Sequence, residues 1–268
     1  MKREQIAALP FYTEGPVVDD RGDFYCTTLA GGSILKINQR NEVSEWATST
    51  CPNGQVILPG GDHLVCDSKL STVVRFNADG KFQKNEIALF CADEPILVPN
   101  DLITDSLGNL YFTDSVRYNG KLFFLGINGE QKVIAAGLDY PNGLVLSPDE
   151  KCLYVAESYQ NRILKIKLNA PGEEYGCFTV FAGLPKHPSG QLQLNLPDGL
   201  ALRKNGELLV AHYGMQAVQL LSPTGELITS IESGMPLTSN LCFLADNIIM
   251  VTGGSGEPGP GAVFKIQL

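Results

Sequence analysis

A chain of 268 residues with 44% hydrophobic and only 18% charged residues has ample material for a buried core. Its net charge of −9 argues against a nucleic-acid footprint and against docking on an anionic membrane surface. The N-terminus carries no signal-peptide apolar region, and no segment is long enough to span a bilayer, so a cytoplasmic protein is expected.

In chain order, Glu14 introduces a first strand, Gly15-Pro16-Val17-Val18. The turn Asp20-Arg21-Gly22-Asp23 leads to a second, Phe24 to Thr28; Ile34 to Ile37 and Val43 to Trp46 read as the third and fourth. The plan then repeats. Second strands recur at Leu64-Val65-Cys66, Leu110 to Thr113, Leu153 to Ala156, Leu208 to Ala211 and Ile248 to Val251. Third strands recur almost literally, as Ile34-Leu35-Lys36-Ile37, Ile163-Leu164-Lys165-Ile166 and Val263-Phe264-Lys265-Ile266. The last repeat stops after its third strand. Ile6-Ala7-Ala8 precedes Glu14 by the same count that Ile134-Ala135-Ala136 precedes Asn142, so the N-terminal strand is expected to complete the last repeat. A period of roughly 40–50 residues filled with strands signals a radial repeat. The expectation is an all-β six-bladed β-propeller with four-stranded antiparallel blades, one domain over residues 1–268, as a monomer or weak homodimer. Two loops interrupt the plan, 185–191 and 253–261, and both are expected to shape a pocket. The seven cysteines are an odd number with no C-x-x-C pair, and Cys26, Cys66, Cys152 and Cys242 lie in apolar runs; they read as reduced thiols.

Each repeat opens on one oxygen-bearing residue: Glu14, Asn53, Asn100, Asn142, Asp198 and, more loosely, Asn240. Singly, Asn or Asp before Gly reads as a turn. Six in register, varying between amide and carboxylate, read as a ring about the propeller axis. Glu14 and Asp198 with Asn100 and Asn142 make an all-oxygen donor set suited to a hard divalent ion. Ca2+ is the first choice, with Mg2+, Mn2+ or Zn2+ as alternatives, although no His/Cys set has zinc spacing. Residues ending second strands (Thr28, Asp67, Asp114, Glu157, His212 and Thr252) are expected on the same face, giving an acidic mouth.

Such an ion with an open position polarises a carbonyl or phosphoryl oxygen. Asp198 is then the candidate general base for attacking water, or a direct nucleophile. His212 is a candidate for protonating the leaving oxygen or orienting water. Arg117 and Tyr118 are candidates for covering the substrate. Asn100 and Asp101 are candidate substrate contacts, Asp101 also reading as a turn residue that holds backbone N–H groups. No G-x-S-x-G, P-loop or dinucleotide fingerprint is present.

Glu14-Gly15-Pro16, Pro99-Asn100-Asp101-Leu102 with Gly108 to Asp114, Pro141-Asn142-Gly143 with Tyr154 to Glu157, and Asp198-Gly199 with Leu208 to His212 together resemble the gluconolactonase, regucalcin and luciferin-regenerating family. The resemblance covers nearly the whole chain. Leu208 to Gly214 with Ser239-Asn240-Leu241 is also similar to diisopropyl fluorophosphatase, a calcium-dependent relative. The resemblance implies a metal on the axis held by Glu14, Asn142 and Asp198, with Asn100 as ligand or substrate contact and Asp198 as catalytic carboxylate. Where regucalcin-type members have a sugar-contacting Arg, this chain has Val98, which implies a less polar lactone or ester. The functional expectation is a metal-dependent lactonase acting on a small neutral molecule. The alternatives are a calcium-dependent phosphotriester hydrolase and a non-enzymatic metal-stabilised binding propeller.

Overall fold

Short runs rich in β-branched and aromatic residues, each closed by an Asn, Asp or Gly turn, form strands here because nothing in them sustains a helical period. The turns are fixed by side chains. Asp19, Asn38, Asn77 and Asp105 each accept two backbone N–H groups two and four residues on, at 2.9–3.1 Å. The computed structural model describes residues 2–174 and 177–268.

Six antiparallel four-strand blades result. Blade 1 is Glu14–Val18, Phe24–Thr27, Ser33–Ile37 and Val43–Thr48, and blade 2 is Pro52–Ile57, His63–Asp67, Thr72–Phe76 and Phe82–Ala88. Blade 3 is Pro99–Thr104, Leu110–Asp114, Gly120–Leu125 and Gln131–Leu138. Blade 4 is Pro141–Leu146, Cys152–Glu157, Arg162–Ala170 and Thr179–Gly183, with Glu173–Glu174 as a short addition on its third strand. Blade 5 is Leu196–Leu202, Leu208–Tyr213, Ala217–Leu221 and Leu227–Glu232. Blade 6 is Leu237–Ala245, Ile248–Gly254 and Gly261–Gln267, completed by Arg3–Leu9 from the N-terminus. That last pairing is antiparallel, Arg3 opposite Ile266 and Leu9 opposite Gly261. It covers an edge that would otherwise be free to recruit another strand.

First strands of neighbouring blades pack side by side round the whole circle, blade 6 against blade 1. The core therefore sits between blades. Tyr111, Phe124, Leu144 and Leu153 fill the interface of blades 3 and 4, and Leu209, Val218, Leu241 and Val251 that of blades 5 and 6. Among the described residues the cysteines are all free thiols, and no helix is long and apolar enough to cross a membrane.

One irregularity recurs in every blade and positions the site. Pairing of first and second strands skips between Glu14 and Val17, Pro52 and Gln55, Pro99 and Leu102, Pro141 and Leu144, Pro197 and Leu200, and Thr238 and Leu241. Each first strand thus carries one extra residue at the axis, a bulge that turns side chains out of the ladder and toward the centre.

Candidate active site

The bulges converge on one cavity of about 290 Å3. Glu14, Asn53, Asn100, Asn142 and Asp198 all line it, and each is buried. The ring is not one tier. By strand register Glu14 matches Pro52 and Pro141, one residue ahead of Asn53 and Asn142, while Asn240 matches Asp101, one residue behind. Asn240 and Asp101 accordingly lie off the lining, beneath it. Asn240 Nδ2 donates to Glu14 Oε2 and to Asp101 Oδ2, both at 3.3 Å.

Glycines following the ring residues allow this convergence. The sequence reads Asn-Gly and Asp-Gly as turns, but Gly143 and Gly199 lie within strands. A Cβ on Gly199 would overlap Asn240 Oδ1, and one on Gly143 would overlap the Asp198 carbonyl. They are glycine because the next blade passes too close for a side chain. Hydroxyls then latch blade to blade: Thr27 donates to the Asn53 carbonyl at 2.8 Å, Thr113 to Asn142 at 2.9 Å, Ser158 to Pro197 at 2.7 Å and Ser239 to Thr13 at 2.8 Å.

Electrostatically the tier is unusual. Burial pushes Glu14 up to about 8, the Gly15 N–H opposing and the Asp101 charge adding to the rise. Asp198 is raised well above the carboxylate range by burial and then by Glu14, Asp101 and Glu257, with the Asn142 amide opposing. Burial also lifts Asp101 to about 6. Among the described residues no Lys, Arg or His lines the cavity. Buried carboxylates without a basic partner either hold protons or share a cation. Oδ1 of Asn142 and Oδ1 of Asn53 are buried with no hydrogen-bond partner. Oxygen donors left bare beside two carboxylates suit a hard divalent ion. Among the described residues no three His, Cys, Asp or Glu side chains are grouped as a metal site.

Several residues expected at the site are not brought to it. His212 is fully buried off the cavity; Gln219 contacts its Nδ1 at 3.3 Å, and burial lowers it to about 4, the Asn195 backbone opposing. Arg117 turns to Asp139 at 2.6 Å and stacks on Tyr159 at 3.5 Å, its guanidinium also touching the Tyr118 hydroxyl at 2.9 Å. Asp101 accepts the Leu102 N–H at 2.9 Å, the backbone role open to it from sequence. The acidic mouth expected from Asp67, Asp114 and Glu157 is absent from the lining because these side chains turn inward. Asp67 accepts Ser49, Thr50 and Cys51, Asp114 accepts the N–H groups of Leu97 and Val98, and Glu157 takes the Asp139 N–H and Arg162.

Other residues form the wall instead. Tyr12, Tyr140 and Leu196 line the cavity, each two positions before a ring residue. Tyr12 and Tyr140 precede their first strands, Tyr140 with φ 65°, so strand alternation in the sequence does not mark them. Leu29, Ser158, Tyr159 and Tyr213 come from the ends of second strands and the loops after them, and Glu257 from the loop 253–261. No local pattern marks Glu257. The 185–191 loop does not reach the lining.

With this geometry in hand, the family model described as the SMP-30/gluconolactonase/LRE-like region matches residues 12–253. The chain belongs to the SMP-30/gluconolactonase/LRE-like family. It is 31% identical to a gluconolactonase of Zymomonas mobilis over 90% of this chain and 75% of that protein. Among solved structures it is similar to a gluconolactonase of Xanthomonas campestris, with a TM-score of 0.85 at 23% identity over 99% of this chain and 89% of that one. It is also similar to regucalcin of Agrobacterium tumefaciens, described as a calcium-binding protein, with a TM-score of 0.82 at 18% identity over 99% and 93%. At those identities the two structures speak for the propeller fold.

Proposed function

We propose that this member of the family hydrolyses a lactone, with a divalent cation, Ca2+ in the first instance, held by Glu14, Asn142 and Asp198 and with Asn100 as a fourth donor. The observation that carries the reading is the bare, buried Oδ1 of Asn142 in the same cavity as two carboxylates that no basic side chain neutralises. The gluconolactonase relatives support the substrate class, and the calcium-binding regucalcin supports the ion.

When bound, the cation supplies Lewis-acid polarisation of the lactone carbonyl. The residues of the chain do the rest. Asp198 takes a proton from water as the water oxygen bonds to the carbonyl carbon. The ring C–O bond then breaks, and the same proton passes from Asp198 to the departing oxygen, leaving a hydroxy acid. His212 does not line the cavity, so both transfers are assigned to Asp198. A cation bound to Glu14 and Asp198 would keep Asp198 ionised, and so free to accept the proton. Tyr12, Tyr140, Tyr159 and Tyr213 enclose the substrate ring and limit water.

A panel of aliphatic and sugar lactones in weak buffer with a pH indicator tests this, with Asp198→Asn as control. Acid release by the calcium-loaded wild type, reduced by about 100-fold or more in the variant, is expected. Equal turnover by the variant, or none by a wild type that binds calcium, overturns the proposal.

A further inference from the structure

The mouth of the cavity carries a charge that the proposed reaction does not use. Glu257, on the loop between the second and third strands of blade 6, lines the chamber that Glu14 and Asp198 share. It is held there. The Tyr213 hydroxyl donates to its Oε1 at 2.9 Å, the neighbouring Pro258 carbonyl accepts the Tyr12 N–H at 2.9 Å, and the Ser255 N–H donates to the Pro260 carbonyl at 3.0 Å. Glu257 also lines a second cavity of about 300 Å3, which shares Tyr12 and Leu29 with the first and is otherwise formed by Ala30 and Pro258. The carboxylate therefore stands at the junction of a polar chamber and an apolar recess.

No basic side chain among the described residues lines either space. The guanidinium of Arg117 is already paired with Asp139. A divalent ion on Glu14 and Asp198 would balance those two charges, and Asp101 lies off the lining, so among the described residues Glu257 is the one further carboxylate that faces an incoming substrate. We infer that Glu257 determines substrate charge: it admits neutral lactones whose apolar substituent rests in the recess of Leu29, Ala30 and Pro258, and turns away lactones bearing a carboxylate or phosphate. This rests on the lactone reading above.

The test compares an alkyl-substituted δ-lactone with the same lactone carrying a terminal carboxylate, in wild type, Glu257→Gln and Glu257→Lys. The ratio of kcat/KM for the carboxylated over the neutral substrate is expected to rise about tenfold in Glu257→Gln and further in Glu257→Lys, the gain shrinking as salt is raised. A propped loop alone gives no such salt dependence. Calorimetric titration with the matching unreactive lactams, neutral and carboxylated, reads the same selection without turnover. If no lactone is hydrolysed but the lactam ratio shifts as stated, the hydrolase reading fails and the role of Glu257 stands. A ratio unchanged across the three proteins, or no binding of either lactam by a wild type that also hydrolyses no lactone, overturns the inference.

Discussion

Asn240 donates its side-chain amide to Glu14 although 226 residues separate them in sequence. The same nitrogen reaches Asp101, so one neutral donor bridges two buried carboxylates and ties blade 6 to blades 1 and 3. Asn240→Asp would set a third carboxylate against the other two. A loss of about 2–4 kcal/mol at neutral pH is expected from the uncompensated buried charge, read as a lowered urea midpoint at unchanged slope. A midpoint within experimental scatter of wild type would show that the bridge is idle.

Gly199 makes a second, sharper case. A Cβ there would overlap Asn240 Oδ1 and its side-chain carbon, so Gly199→Ala forces two blades apart at the axis. A loss of about 3 kcal/mol or more is expected. Gly183, where a Cβ would meet nothing within 4 Å, is the control, and Gly183→Ala should be neutral or slightly stabilising. If urea melts find the two substitutions equivalent, close packing at the axis is not what selects glycine at position 199.

His63 gives a prediction in pH. It packs on Trp46 at 4.2 Å and Tyr25 at 4.8 Å, accepts or donates one bond with Gln55 at 2.9 Å, and burial holds it down at about 4. The unfolded chain takes up this proton first as pH falls below about 6.5. The contribution of His63 is thus present above that pH and lost on the way down to about 4. Glu14 and Asp101, raised by burial, push the other way over an overlapping range, so the histidine must be isolated by difference. Stability of wild type relative to His63→Phe should fall by about 3 kcal/mol between pH 7 and pH 4. A flat difference would mean that the imidazole is protonated inside the fold.

Much of this architecture was legible in the sequence. The repeat, the near-identical third strands and the borrowed N-terminal strand together specify six blades, because each follows from periodicity and strand chemistry, which are local. Less legible was depth. Glu14 and Asn240 are offset from the other ring residues by one position in opposite directions, which a gap of 40-odd residues does not resolve. Asp67, Asp114 and Glu157 sit at the expected ends of second strands, yet turn inward because backbone N–H groups beside them need acceptors. Glu257 was out of reach, since only the folded loop carries it to the mouth.

The central claim is that Glu14, Asn142 and Asp198 act on one ion. Calorimetric titration of calcium into chelator-stripped protein tests it most directly. One ion per chain is predicted for wild type, with affinity weakened by about 100-fold or more in Glu14→Gln and in Asp198→Asn and by a smaller factor in Asn142→Ala. Wild-type protein that takes up no calcium, or variants that bind it as tightly as wild type, would contradict the account.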